Sequence, residues 1–252
     1  MKGKLKIFFC FFAVCLGLNG SCVMAQRIAD FEAWTGISLR KDLPKGFAAS
    51  VEWQSRFDNN ATQLKRNYLY VNADYKIRKW LFVLAQYRFS TNQFSDAQRF
   101  RVGLNFKTKL KRFSFANRIV YQQQYGFLSE EWITAFGPSR ALRNRLQIGY
   151  SITKKIGVTL SAEPSWRLES GPFSLRRIRY MTALNFDLPK KLNLRLFYLI
   201  QPDYNRVNPS LNYVGGLSIA YDLPGKKKDK SKKKAAEPAL PAPAPEKPPH
   251  NE

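Results

Sequence analysis

From Gln26 onward the dominant repeat along the chain is two residues, the signature of half-buried strands. Leu69, Val71, Ala73, Tyr75 and Ile77 share one face, and Tyr68, Tyr70, Asn72 and Asp74 share the other. Leu81, Val83, Ala85, Tyr87 and Phe89 oppose Gln86, Arg88 and Ser90. Phe100, Val102, Leu104 and Phe106 oppose Arg99, Arg101, Gly103 and Asn105. The same alternation sets Leu146, Ile148, Tyr150 and Ile152 against Arg145, Gln147, Gly149 and Ser151, and Ile178, Tyr180, Leu184 and Phe186 against Arg177, Arg179 and Asn185. Leu217, Ile219 and Tyr221 end the series, and no segment reads as an amphipathic helix.

The pattern predicts strands starting near residues 31, 47, 66, 81, 98, 112, 141, 156, 175, 191 and 211. Each is about 9–13 residues long, enough to cross a bilayer when tilted. Single-chain bacterial barrels normally have an even strand number. Ten to twelve strands are therefore expected, with twelve favoured through a short extra strand around Arg27–Asp30.

The connections alternate between two kinds. Short basic ones are KDLPKG (41–46), KIRKW (76–80), KTKLKR (107–112), TKKIG (153–157) and LPKKL (188–192). Longer polar ones are 58–66, 90–98, 124–140, 169–176 and 201–210. An up-and-down sheet places alternate connections at opposite ends, so the lysine-rich turns gather on one rim. Tyr75, Trp80, Phe106, Phe113, Tyr150 and Phe186 sit beside those turns and would form an interfacial girdle. The expected fold class is all-β, a transmembrane antiparallel up-and-down β-barrel, with short turns facing the periplasm. A soluble sandwich or barrel with basic turns is the blander alternative.

Charge and export signals refine this picture. MKGKLK, the apolar run Ile7–Leu18, and Val23 and Ala25 before Gln26 read as a cleaved secretory signal over residues 1–25. The barrel is expected over 26–223. Residues 224–252 form a basic, then Pro/Ala-rich tail with no core-forming residues, expected to be disordered in the periplasm. The chain carries 42 Lys+Arg against 18 Asp+Glu. Setting aside three lysines in the signal, and eight lysines and four acids in the tail, leaves the body at +17.

FEAWTGISLRKDLPKGF, the aromatic–x–[IL]–x–K turns at Tyr75, Tyr150 and Phe186, AEPSWR and the export signal carry a resemblance spanning about residues 28–223. The chain resembles the Bacteroidetes outer-membrane β-barrels grouped as domain of unknown function 2490. That resemblance implies a barrel in the outer membrane of a Gram-negative cell and supplies no catalytic residues.

Candidate chemistry is narrow. Cys10, Cys15 and Cys22 all fall in the signal, and His250 lies in the tail. Serine–histidine catalysis and Cys/His metal sites are therefore closed to the body. No cofactor motif is present, and the adjacent Glu130–Glu131 pair reads as a solvated loop. The protein is expected to be no enzyme. If the apolar stripes face lipid, the inward set comprises Glu52, Arg56, Asp74, Arg88, Arg99, Arg101, Arg118, Arg143, Arg145, Glu163, Arg167, Glu169, Arg177, Arg179 and Arg195. That is eleven arginines against four acids, with no lysine. Two readings stay open: an arginine–carboxylate network filling a closed structural or interaction barrel, or a basic lumen that passes or binds anionic solutes. The expected partners are outer-membrane lipids, an anionic solute, and an anionic periplasmic surface or protein met by the tail. Lysines spread over every turn make a ring rather than a groove, which argues against nucleic acid.

Overall fold

The computed structural model describes residues 28–93, 95–127, 139–168, 173–205 and 209–224. Within them the chain forms eleven strands. These are β1 (Ile28–Asp42), β2 (Phe47–Asp58), β3 (Gln63–Lys76), β4 (Leu81–Thr91), β5 (Asp96–Leu110) and β6 (Phe113–Phe127). They continue with β7 (Ser139–Ser151), β8 (Ile156–Arg167), β9 (Ser174–Leu188), β10 (Leu192–Pro202) and β11 (Ser210–Leu223). Each pairs with its sequence neighbours, and β1 meets β11 to close the barrel.

The favoured twelfth strand is not found among the described residues. Ile28–Asp30 is the beginning of β1, paired with Ser210–Asn212 of β11, and Arg27 lies outside the described residues. An odd number of up-and-down strands sends the first and last in the same direction. The β1–β11 closure is accordingly parallel, from Ile28↔Ser210 to Lys41↔Leu223, while the other ten pairings are antiparallel.

The alternation does what it predicts. Val71, Leu104, Leu146 and Ile148 are exposed on the outside, whereas Tyr68, Tyr70, Leu84 and Arg88 are buried inside. An exposed apolar belt of this kind runs round the wall. The turn-side aromatics meet in cross-strand pairs: Phe47–Tyr75 at 4.6 Å between ring centroids, Trp80–Phe106 at 6.0 Å and Phe113–Tyr150 at 5.0 Å. Tyr87, Phe100 and Tyr125 make a second series nearer the other rim. Phe113 and Tyr125 mark the two series on β6. They stand roughly 40 Å apart along the strand, or about 29 Å at a tilt of about 45°.

The basic turns are tight. Lys45 (φ 58), Lys111 (φ 52), Lys190 (φ 58) and Lys191 (φ 63) occupy the left-handed region, with Gly46 at φ 86. The connection expected to be long at 58–66 is compact, because β3 begins at Gln63, earlier than its apolar stripe suggests; β5 likewise begins early, at Asp96.

Candidate functional site

Register decides which side chains meet inside. Cross-strand partners share a face, and inward residues of neighbouring strands therefore form rows. Arg99 stands opposite Gln124, and Arg101 lies between Gln86 and Gln122. Arg99 Nε donates to Gln124 Oε1 at 2.9 Å, and Arg88 reaches the same oxygen at 3.3 Å. Arg101 donates to Gln86 at 2.9 Å and Gln122 at 3.3 Å, while Arg143 also donates to Gln122 at 3.3 Å. Arg56 donates to Gln54 at 2.8 and 2.7 Å, and Arg179 to Gln201 at 2.6 Å. Glutamine, a neutral acceptor, fixes these guanidiniums without cancelling their charge.

Carboxylates take a smaller part. Glu163, buried on β8, is the hub: Arg143 donates to it in a short contact, Arg118 lies 2.9 Å away and Arg145 4.0 Å away. Arg177 pairs closely with Asp203, which also accepts from Ser210 Oγ at 2.9 Å. Glu52, Arg101, Arg118, Arg143, Arg145, Glu163, Arg179 and Arg195 all line one chamber of about 200 Å³. A vestibule of about 380 Å³ shares Glu52, Arg195 and Ser218 with it and leads to Asp187 and Asn193 at the turn rim. Asp74 lines a second vestibule there, beside Arg40, Lys76 and Lys107.

On the loop side the interior is packed. Trp34, Leu199 and Val214 are buried together, with Met181 and Phe197 against them. The Arg56 guanidinium sits 3.6 Å from the Trp34 ring centroid and 4.2 Å from that of Tyr68. Arg88 lies 4.8 Å from the Tyr68 ring, and Arg179 lies 5.7 Å from the Trp34 ring. Arginines and aromatics from β9, β1, β2, β3 and β4 thus interleave to roof the chamber.

The sequence-predicted set divides accordingly. The chamber gathers eight of its members. Arg56 and Arg88 form the roof, Arg99 flanks it, Arg177 stands apart with Asp203, and Asp74 lies near the turn rim. Arg167 is exposed at the end of β8. Glu169 lies outside the described residues, as do Glu130–Glu131, the signal and the tail beyond residue 224. One expectation is wrong: lysine does enter the barrel. A register shift between Arg56 and Phe57 lets Lys65 reach Glu32 at 2.8 Å. Sequence reasoning also misses Glu32, Arg66, Asp203 and the glutamine partners. A signal for the glutamines is present, since Gln86 and Arg88 occupy the same alternating face. Trp34, Phe197, Leu199 and Val214 give no such signal, because large apolar residues on both faces erase the alternation.

A family model with the description "Protein of unknown function (DUF2490)" matches residues 31–212. No curated protein matches the chain. Solved structures similar at low identity include the following three. "NanC porin structure in rhombohedral crystal form" has a TM-score of 0.44 at 13% identity, over 68% of this chain and 86% of that one. "KdgM porin" has a TM-score of 0.42 at 12% identity, over 65% and 81% of the two chains. Acinetobacter baumannii OccAB4 has a TM-score of 0.34 at 12% identity, over 68% and 51%.

Proposed function

The chain belongs to the DUF2490 family, and from its barrel we propose an exported, non-enzymatic outer-membrane protein whose arginine-lined interior takes in small anionic solutes as a narrow, anion-preferring pore. The outward belt of exposed Val, Leu, Ile, Phe and Tyr suits lipid, since a soluble protein rarely exposes so much contiguous apolar surface. Two aromatic series about 29 Å apart match the girdles of a membrane-spanning barrel. The left-handed lysines support the same placement. A tight turn would ordinarily use Gly or Asn at such φ, so lysine there is better accounted for by what its ammonium meets: anionic headgroups or a periplasmic surface.

The observation that carries the anion reading is the pairing of arginine with glutamine. Arg56, Arg99, Arg101 and Arg179 are held by Gln54, Gln124, Gln86 and Gln201, so their charge persists in the lumen. A low-dielectric wall concentrates the resulting positive potential along the axis. A salt gradient across a planar bilayer holding the purified protein tests this. The expected reversal potential has anion-selective sign and weakens toward 1 M salt, where the Debye length is about 3 Å. Cation selectivity would overturn the reading. A second reading, a closed scaffold or partner subunit, draws on the packed loop side around Trp34, Leu199 and Val214; absence of any conductance would favour it.

A further inference from the structure

The chamber holds more positive charge than its own acids neutralise. Six arginines face two glutamates across it, an excess of four. Glu163 already serves Arg118, Arg143 and Arg145. The Nε–H groups of Arg118, Arg143 and Arg195 are nevertheless buried and donate to no protein acceptor, and Arg143 as a whole is only 8% exposed. Buried donors are normally satisfied, because leaving them unmade is costly. These three arginines, on β6, β7 and β10, line one cavity of about 200 Å³. The missing partner is therefore an acceptor, and the charge excess asks for an anion.

Its class follows from the donors. A guanidinium matches a pair of oxygens on one atom, as in carboxylate, phosphate or sulfate. A monovalent spherical ion engages few of these N–H groups and offsets only one of the four excess charges. We infer that the chamber is a binding site for a small doubly charged oxyanion, either a free tetrahedral ion or the phosphate or sulfate head of a small ester, entering through the vestibule at the turn rim. This inference rests on the anion-uptake reading and names the ligand class for the same interior.

The test uses the full chain purified in detergent, titrated calorimetrically with sodium sulfate and with sodium chloride at matched ionic strength. Sulfate keeps its double charge across the usable pH range. Saturable binding of one sulfate per chain, at least tenfold tighter than chloride, is the expected result. Arg145→Gln combined with Arg195→Gln should weaken it at least tenfold, Arg195→Lys alone less, and Arg78→Gln in the exposed turn after β3 not at all. Heat-modifiable migration on gels verifies that each variant still forms a barrel. Parallel titrations with inorganic phosphate and glycerol 3-phosphate separate the sources: tighter binding of the ester identifies a head group, equal binding a free ion. Sulfate binding no tighter than chloride, or an unaffected double variant, overturns the site. An anion-selective current without sulfate preference would sink this site and spare the uptake reading. Saturable sulfate binding without current would do the reverse for conduction.

Discussion

The guanidinium of Arg56 lies 3.6 Å from the ring centroid of Trp34. Tyr68 covers Arg56 at 4.2 Å, so one cation is shared by two aromatic faces inside the barrel. Arg56 is half-buried, and a contact of this kind is worth about 1 kcal/mol. Its position matters more than its strength, because the interleaved arginines and aromatics separate the arginine chamber from the loop rim.

Trp34→Ala should therefore open the roof. The variant removes the ring that Arg56 rests on and leaves space beside Leu199 and Val214. If the barrel conducts as proposed, single-channel conductance should rise and the proposed anion preference should persist, since the chamber arginines remain. Unchanged conductance would place the limiting constriction elsewhere.

The two faces of the wall should respond unequally to charge. Val71, Leu104 and Ile148 are 45%, 40% and 50% exposed on the outside. Arginine at any of them should cost about 2–4 kcal/mol near the bilayer midplane. The neighbouring inward positions Asn72, Asn105 and Gln147 should tolerate it with smaller losses. Folding yield into lipid vesicles, read by heat-modifiable migration, measures the contrast.

How much of this is legible in the sequence follows from how strictly residues alternate. Strand starts at 47, 81 and 156 agree to the residue, because polar turns bracket clean period-two runs. The start of β3 is missed by three residues, since Gln63, Leu64 and Lys65 break the alternation at a bulge. That same bulge is why Lys65 does not read as an inward residue. The chamber arginines are visible because a charge recurring at every second position of an apolar strand must face away from lipid, and in a barrel that direction is the lumen. Their glutamine partners and the hub role of Glu163 depend on cross-strand register, which one strand's sequence does not contain. The loop-side packing is hidden because Phe197 sits among Leu196, Tyr198 and Leu199, where neither face stands out.

Glu163→Gln should separate stability from selectivity. The carboxylate serves three arginines, so its loss leaves their charges facing one another. Breaking a buried pair costs about 3–5 kcal/mol in a dry interior, and water in the chamber should reduce this. Urea unfolding in detergent should show a lower midpoint. The same variant makes the lumen more positive, so under the proposed pore reading the reversal potential should shift in the anion-selective direction relative to the parent chain. A shift toward cations would contradict the placement of Glu163 on the solute path.

The left-handed lysines offer a trade between backbone and surface. An L-residue in that region costs roughly 1–2 kcal/mol that glycine avoids. Lys45→Gly combined with Lys190→Gly should raise the unfolding midpoint. If the ammonium groups meet anionic headgroups, the same variant should bind vesicles of anionic lipid more weakly than the parent chain, as read by co-sedimentation at low salt. A more stable barrel with unchanged vesicle binding would leave these lysines without a surface role.

The last prediction concerns the seam imposed by the odd strand number. Parallel pairing is slightly less stable per residue than antiparallel, and β1–β11 is the one parallel pairing in the described barrel. Glu32, 2% exposed, lies at this seam. It accepts from Asn212 Nδ2 of β11 at 2.6 Å, from Trp34 Nε1 of its own strand at 2.8 Å and from Lys65 of β3 at 2.8 Å. One carboxylate thus ties the first strand to the last and to the bulged strand beyond β2. Glu32→Ala leaves Lys65 with Asp58 alone, 3.5 Å away, and leaves Asn212 Nδ2 and Trp34 Nε1 without their acceptor, which should cost about 1–3 kcal/mol. Glu32→Gln keeps an acceptor for Asn212 and should cost less. If the loss acts through the seam, hydrogen exchange should quicken first in β1 and β11 and leave β5 and β6 protected. Thr35 and Leu217 are register partners across the seam. Neighbouring strands run about 4.8 Å apart, within the Cα range a disulfide can bridge. The pair Thr35→Cys and Leu217→Cys should therefore rescue Glu32→Ala when oxidised and not when reduced. Uniform loss of protection, or failure of the oxidised pair to rescue, would show that Glu32 stabilises the barrel as a whole rather than its closure.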